Sequence, residues 1–171
     1  VACQALLVNL PDPEPAVREF GRVSADLVAA VEPDNGAVAV ESTVGGEEAL
    51  AESAREAYAA GVPSDVALGA DAADVFGDAG LAVVAQTTYY HTRVVEPPYS
   101  EAALTGAKRK VRGDRIREAR PTLRAGGLAP DEIDALEADW KKMGRAVVEQ
   151  MQAESYRRSE VVPFHVTVGR A

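Results

Sequence analysis

Few residues in this chain are suited to chemistry, and they fall in three places. Cys3 and Gln4 lie in the opening run Val1-Ala2-Cys3-Gln4-Ala5-Leu6-Leu7-Val8-Asn9-Leu10. Glu32 and Asp34 close a second apolar run that begins at Leu27. His91 follows Tyr89 and Tyr90, and His165 sits between Phe164 and Val166. A cysteine attacks as its thiolate, but a lone cysteine in an apolar run with no histidine nearby is usually a small core residue. Gln4, a polar group at the end of a buried strand, must find a partner, either a cofactor or neighbouring backbone. A carboxylate at a strand end can act as base or orient an acceptor. The plain alternative for Glu32 and Asp34 is a solvated turn. His91 can exchange protons near neutrality. His165 alternates with apolar neighbours and is expected to face out or be satisfied locally. One cysteine and two histidines without ligand spacing argue against a metal centre.

A fourth feature is charge. Lys108, Arg109, Lys110, Arg112, Arg115, Arg117, Arg120 and Arg124 fall within residues 108–124, opposed there only by Asp114 and Glu118. Such a run can bind an anionic substrate or phosphate. More often it is a solvated helix face paired with acidic neighbours, and this chain has 27 acidic residues to provide them.

These groups must be held by something. Residues 1–10 are nearly continuously apolar, which suits a strand buried on both faces. Pro11-Asp12-Pro13 stops it, and Pro13 or Pro15 can open a helix. Ala16, Val17, Phe20 and Val23 then recur at helical spacing, and 27–31 reads as a second strand. Strand, helix and strand in this span make a crossover unit. Residues 47–60 form an Ala-rich helix with a stripe at Leu50, Ala54 and Ala57, capped by Gly61. Residues 71–79 read as a short helix, and 81–95 as a strand ended by Pro97-Pro98. Residues 131–157 read as a long helix with its stripe at Ile133, Leu136, Trp140, Met143, Val147 and Met151. Residues 160–169 form a last strand.

Composition bounds the class. The chain has 171 residues, 47% of them hydrophobic, and a formal charge of −9. That is globular composition with room for a core. The acidic balance, with a pI near 4.8, argues against a nucleic-acid partner. No apolar run approaches the roughly 20 residues of a membrane span, and the first residues lack a basic leader. The expectation is a cytoplasmic protein with neither nucleic-acid nor membrane partners.

Several segments carry a resemblance. Cys3-Gln4-Ala5-Leu6-Leu7-Val8-Asn9-Leu10-Pro11-Asp12-Pro13 resembles the segment after the fourth strand of a class I, Rossmann-like S-adenosylmethionine-dependent methyltransferase. Residues 16–23 (AVREFGRV) resemble that family's next helix, and 27–34 (LVAAVEPD) its fifth strand and acidic turn. Gly80-Leu81 resembles the entry to its sixth strand, and Val166-Thr167-Val168-Gly169-Arg170 its seventh. The resemblance implies an α/β fold, namely a partial methyltransferase sheet of strands four to seven whose last strand is antiparallel. Residues 1–98 would be the carboxyl-terminal part of the core, 99–158 a helical insert or lid over the acceptor pocket, and 159–171 the final strand. It implies S-adenosylmethionine as cofactor, touched by Cys3, Gln4 and Ala5, and methyl transfer to a small-molecule acceptor. Catalytic residues stay open, with Glu32 and His91 as candidates.

The chain also departs from that family. A glycine-rich turn after the first strand, which admits the cofactor, and an acidic residue closing the second cannot be placed. Gly45-Gly46, Gly61 and Gly126-Gly127 read as turn and cap glycines. The expectation is therefore a chain truncated relative to the family, needing residues upstream. The alternative is a non-catalytic fragment or subunit acting through another chain or a second copy, as a dimer or other homo-oligomer. An unpaired edge on the first strand motivates that alternative. The distal half of a nicotinamide-dependent dehydrogenase is a third reading, opposed by the antiparallel last strand and the helical insert.

Overall fold

A computed structural model describes all 171 residues. The chain divides into two compact units. The first comprises Val1–Val38, Pro63–His91 and Val161–Ala171; the second comprises Ala39–Val62 and Thr92–Glu160. These limits differ from the sequence-based division at residues 98 and 158, because residues 39–62 belong with the helical unit. The stripe explains why: Ala54 lies in that unit's core, and Leu50 and Ala57 pack against it.

The first unit contains β1 (Ala2–Gln4), α1 (Glu14–Val23), β2 (Leu27–Pro33), α3 (Ala72–Asp78) and the greater parts of β4 (Ala82–Val95) and β5 (Arg158–Arg170). β1 runs parallel to β2, with Gln4 opposite Val31. β5, the last strand, runs antiparallel to β2, with His165 opposite Glu32. β4 pairs with β5. The sheet is thus mixed, and its final strand is inserted between β2 and β4. Val28, Ala30 and Glu32 are all buried on β2, the period of two that places them on one face. Val17 of α1 and Phe76 of α3 join Val28 and Ala30 in one apolar cluster.

Two expectations need correction here. Residues 1–10 do not form one long buried strand. β1 has three residues and is an edge, because Ala5 adopts a positive φ of 47° and turns the chain. Leu7 and Val8 are buried from a 3-10 turn over Leu7–Asn9 instead. The apolar run reports burial, not strand conformation. Second, Glu32 is no part of a solvated turn: it lies within β2 and is fully buried.

The second unit contains β3 (Ala39–Ser42), α2 (Glu47–Gly61), α4 (Glu101–Arg112), α5 (Asp114–Ala125) and α6 (Pro130–Gln152). β3 pairs with β5; so short an element is absent from the sequence reading. The α6 stripe holds, with Ile133, Trp140, Met143, Val147 and Met151 all buried. The helix ends at Gln152, short of the expected Arg157. Glu154 has a φ of 53°, a left-handed residue that breaks the helix before β5.

α2 and α5 meet at backbone distance. A Cβ on Gly61 would stand 1.8 Å from the Thr122 carbonyl oxygen, so glycine is required there by close approach. Gly61→Ala should lower stability by about 1–3 kcal/mol, the usual cost of overpacking. Urea unfolding measures it, and an unchanged midpoint would contradict this crossing. No helix is long and apolar enough to cross a membrane.

Candidate functional site

In the first unit the carboxyl ends of β1 and β2 come together, the end of an open α/β sheet where ligands gather. After Gln4 the chain turns at Ala5, whose N–H still donates to the Val31 carbonyl at 2.9 Å. The next three backbone N–H groups converge on one carboxylate. Leu6 and Leu7 donate to Glu32 Oε1 at 3.2 and 3.1 Å, and Val8 donates to Oε2 at 3.1 Å. These are the unpartnered donors that any short helix leaves at its start. Glu32 supplies their acceptors from the neighbouring strand. The Cys3 thiol donates to Glu32 Oε1 at 3.9 Å.

This arrangement decides the state of Cys3. Burial, then the Glu32 charge and hydrogen bond, push its thiol up to about 11. At neutral pH it is a thiol and a poor nucleophile. Iodoacetamide at pH 7.5 should therefore alkylate native Cys3 much more slowly than the unfolded chain, followed by mass spectrometry. Equal rates would contradict the Cys3–Glu32 contact.

The other sequence candidates are placed as follows. Gln4 and Ala5 are exposed at the end of β1. Asp34 accepts from the N–H groups of Gly36 and Ala37 at 2.9 and 3.0 Å, tying its own turn. His91 is exposed on β4, edge-on to Phe164 with ring centroids 6.2 Å apart. β4 lies two strand spacings from β2 and three from β1, or about 10 Å from the strand of Glu32 and about 14 Å from that of Cys3. The structure therefore brings Cys3 and Glu32 together and leaves His91 apart from them. His165 Nδ1 lies 3.1 Å from Thr88 Oγ1, a local partner.

The second unit holds a charged assembly that the sequence reading missed. Glu47, the first residue of α2, is 1% exposed. Ser42 Oγ donates to its Oε2 at 2.6 Å, and Tyr156 Oη lies 3.1 and 3.0 Å from its two oxygens. Lys110 Nζ pairs with Oε1, and Arg158 Nε stands 3.3 Å from it. Arg158 also pairs with Glu160 at 2.7 Å. Burial pushes the Glu47 carboxyl up, but Lys110 and the hydrogen bonds from Lys110, Ser42 and Tyr156 outweigh it and hold the group below its ordinary value. The Tyr156 phenol is pushed well above its ordinary value, first by burial and then by Glu47. It therefore stays protonated and able to donate. Close packing sets Lys110 in place: a Cβ on Gly144 of α6 would lie 2.6 Å from the Lys110 carbonyl carbon.

A signal for this assembly exists. Glu47 falls in phase with Leu50, Ala54 and Ala57, and Lys110 in phase with Ala103 and Ala107. A charge on an apolar stripe asks for a buried partner. Four other residues of the basic run pair with acidic neighbours, as a solvated face would. Arg109 pairs with Glu118, Arg112 with Asp114, Arg117 with Asp114 and Glu137, and Arg120 with Asp134.

No group of histidine, cysteine and carboxylate side chains is arranged to hold a metal ion. No family model matches the sequence, and no curated protein matches it. Among solved structures, the chain is similar to one from Bacillus halodurans C-125 named a "putative methyltransferase". The TM-score is 0.45 and the identity 11%, over 99% of this chain and 68% of that one.

Proposed function

We propose that this chain is the acceptor-side portion of an S-adenosylmethionine-dependent methyltransferase acting on a small molecule. The observation that carries the reading is the sheet. The parallel pair β1–β2 is followed by an antiparallel last strand set beside β2, as the sequence resemblance requires. In that reading β1, β2, β4 and β5 are strands four, five, six and seven of the family's sheet.

The residues at the end of β1 suit one edge of the cofactor. Gln4 offers an exposed amide beside a backbone turn at Ala5. The thiol of Cys3, pushed up to about 11, does not compete as a methyl acceptor. The cofactor supplies an electrophilic methyl group; this chain supplies position and exclusion of water, the main work of such transfer. Glu32, with its oxygens given to backbone donors, acts as a positioning residue that holds the turn.

Neither the glycine-rich turn nor the ribose-holding acid has a counterpart in these strands. The reading therefore expects weak cofactor binding by this chain and tight binding once a segment carrying that turn extends the sheet beyond β1. Calorimetric titration with S-adenosylmethionine, of this chain and of a fusion carrying such a segment, tests it. The fusion should bind at least about tenfold tighter, or 1.4 kcal/mol. Absence of heat from both at millimolar ligand would sink the reading.

The unpaired outer edge of β1 and the exposed length of β4 favour a second reading. In it the chain works by association with another chain or a second copy, and it would sediment as an assembly.

A further inference from the structure

The helical unit contains a cavity of about 520 Å³, a size typical of small-molecule sites. Four cations line it: Arg93, Lys110, Arg115 and Arg158. Three of them are already paired. Lys110 is held by Glu47, Arg158 by Glu47 and Glu160, and Arg93 by Glu160 at 3.5 Å. Arg115 is different. Its guanidinium carbon stands 5.8 Å from the centre of the Trp140 ring, and its charged neighbours are the Glu160 carboxylate and the Arg158 and Arg55 guanidinium groups. An aromatic face engages the flat side of a guanidinium and leaves its N–H edge free. That edge matches a carboxylate with two parallel hydrogen bonds.

We propose that this cavity binds a small monocarboxylic acid, with its carboxylate on Arg115 and its apolar body against Ala103, Ala107 and Met151. Two features choose this class. The lining also carries Glu96 and Glu160, so a doubly charged phosphate would meet repulsion that a single carboxylate largely avoids. The cavity also offers apolar wall as well as charge, which a bare inorganic anion cannot use. The inference goes beyond the methyltransferase reading and does not rest on it. The binding itself requires no cofactor.

The test is calorimetry on the full chain without S-adenosylmethionine, using 4-ethylbenzoate, its neutral amide and inorganic phosphate as probes. The acid should bind in the millimolar range or tighter, with the amide and phosphate at least about tenfold weaker. Arg115→Met should weaken acid binding by a similar factor, and Arg115→Lys should recover part of it. Melting midpoints of both variants separate loss of ligand from loss of fold. No heat from the acid, equal binding of acid and amide, preferential binding of phosphate, or an Arg115→Met protein that binds as well as the parent would each overturn the proposal. Because the acid-against-amide comparison uses the unaltered protein, it stands even where a variant misfolds. A failure here leaves the cofactor titration untouched, and a failure there leaves this one.

Discussion

Replacing Glu47 by alanine should destabilise the protein by about 3–5 kcal/mol, the range for removing one partner of a buried ion pair. The reason lies in what stays behind. Lys110 and Arg158 have side chains only 21% and 15% exposed, and without Glu47 Lys110 loses its carboxylate. The hydroxyls of Ser42 and Tyr156 also lose their acceptor. Urea unfolding followed by circular dichroism measures the loss. The pH dependence gives an independent check. The folded-state pKa of Glu47 lies below its unfolded value. Its stabilisation is therefore complete above the unfolded value, about 4.3, and is lost as pH falls through the folded value. In Glu47→Gln, which keeps the shape without the charge, that part of the acid slope should disappear. A Glu47→Ala protein of parental stability would mean that the cluster is not formed.

Glu32 gives the second large effect, and it separates positioning from catalysis. Glu32→Ala leaves three backbone donors, at Leu6, Leu7 and Val8, without acceptors. Leu7 and Val8 are 1% and 4% exposed, so water does not readily replace the carboxylate. Each unsatisfied buried group costs roughly 1–3 kcal/mol, which gives about 2–5 kcal/mol in all after partial relaxation. Glu32→Gln should recover little, because its amide nitrogen would face a backbone N–H that also donates. Amide hydrogen exchange at residues 6–8 should rise in both variants ahead of global unfolding. A base that touched substrate without holding the turn would leave stability and exchange unchanged.

The elements that were legible in the sequence are those whose periodicity matched their packing. α6 reads correctly because Ile133, Trp140, Met143, Val147 and Met151 recur on one face and are all buried. β2 reads as a short apolar run between turn residues, and the antiparallel β5 reads through the resemblance of its last residues to a family strand. The opening run misleads because apolarity measures burial alone. Leu7 and Val8 are as buried as strand residues, but they reach the core from a 3-10 turn after Ala5. β3 has only four residues, too few to carry a period. The charged clusters were harder still. Glu47 and Glu32 each sit in phase with buried apolar neighbours, but a single sequence does not show which distant groups receive them. Lys110, Tyr156 and Arg158 meet Glu47 from positions 63 to 111 residues away.

The end of β1 is proposed here as one edge of a cofactor site. Its most direct test is a 15N-correlated NMR titration of this chain with S-adenosylmethionine to millimolar concentration, where weak binding still registers. Saturable shifts are expected at the amides of Cys3, Gln4 and Ala5 and of the Glu32-bound turn that follows, with S-adenosylhomocysteine competing. No shifts at millimolar ligand, or shifts confined to the helical unit, would contradict it.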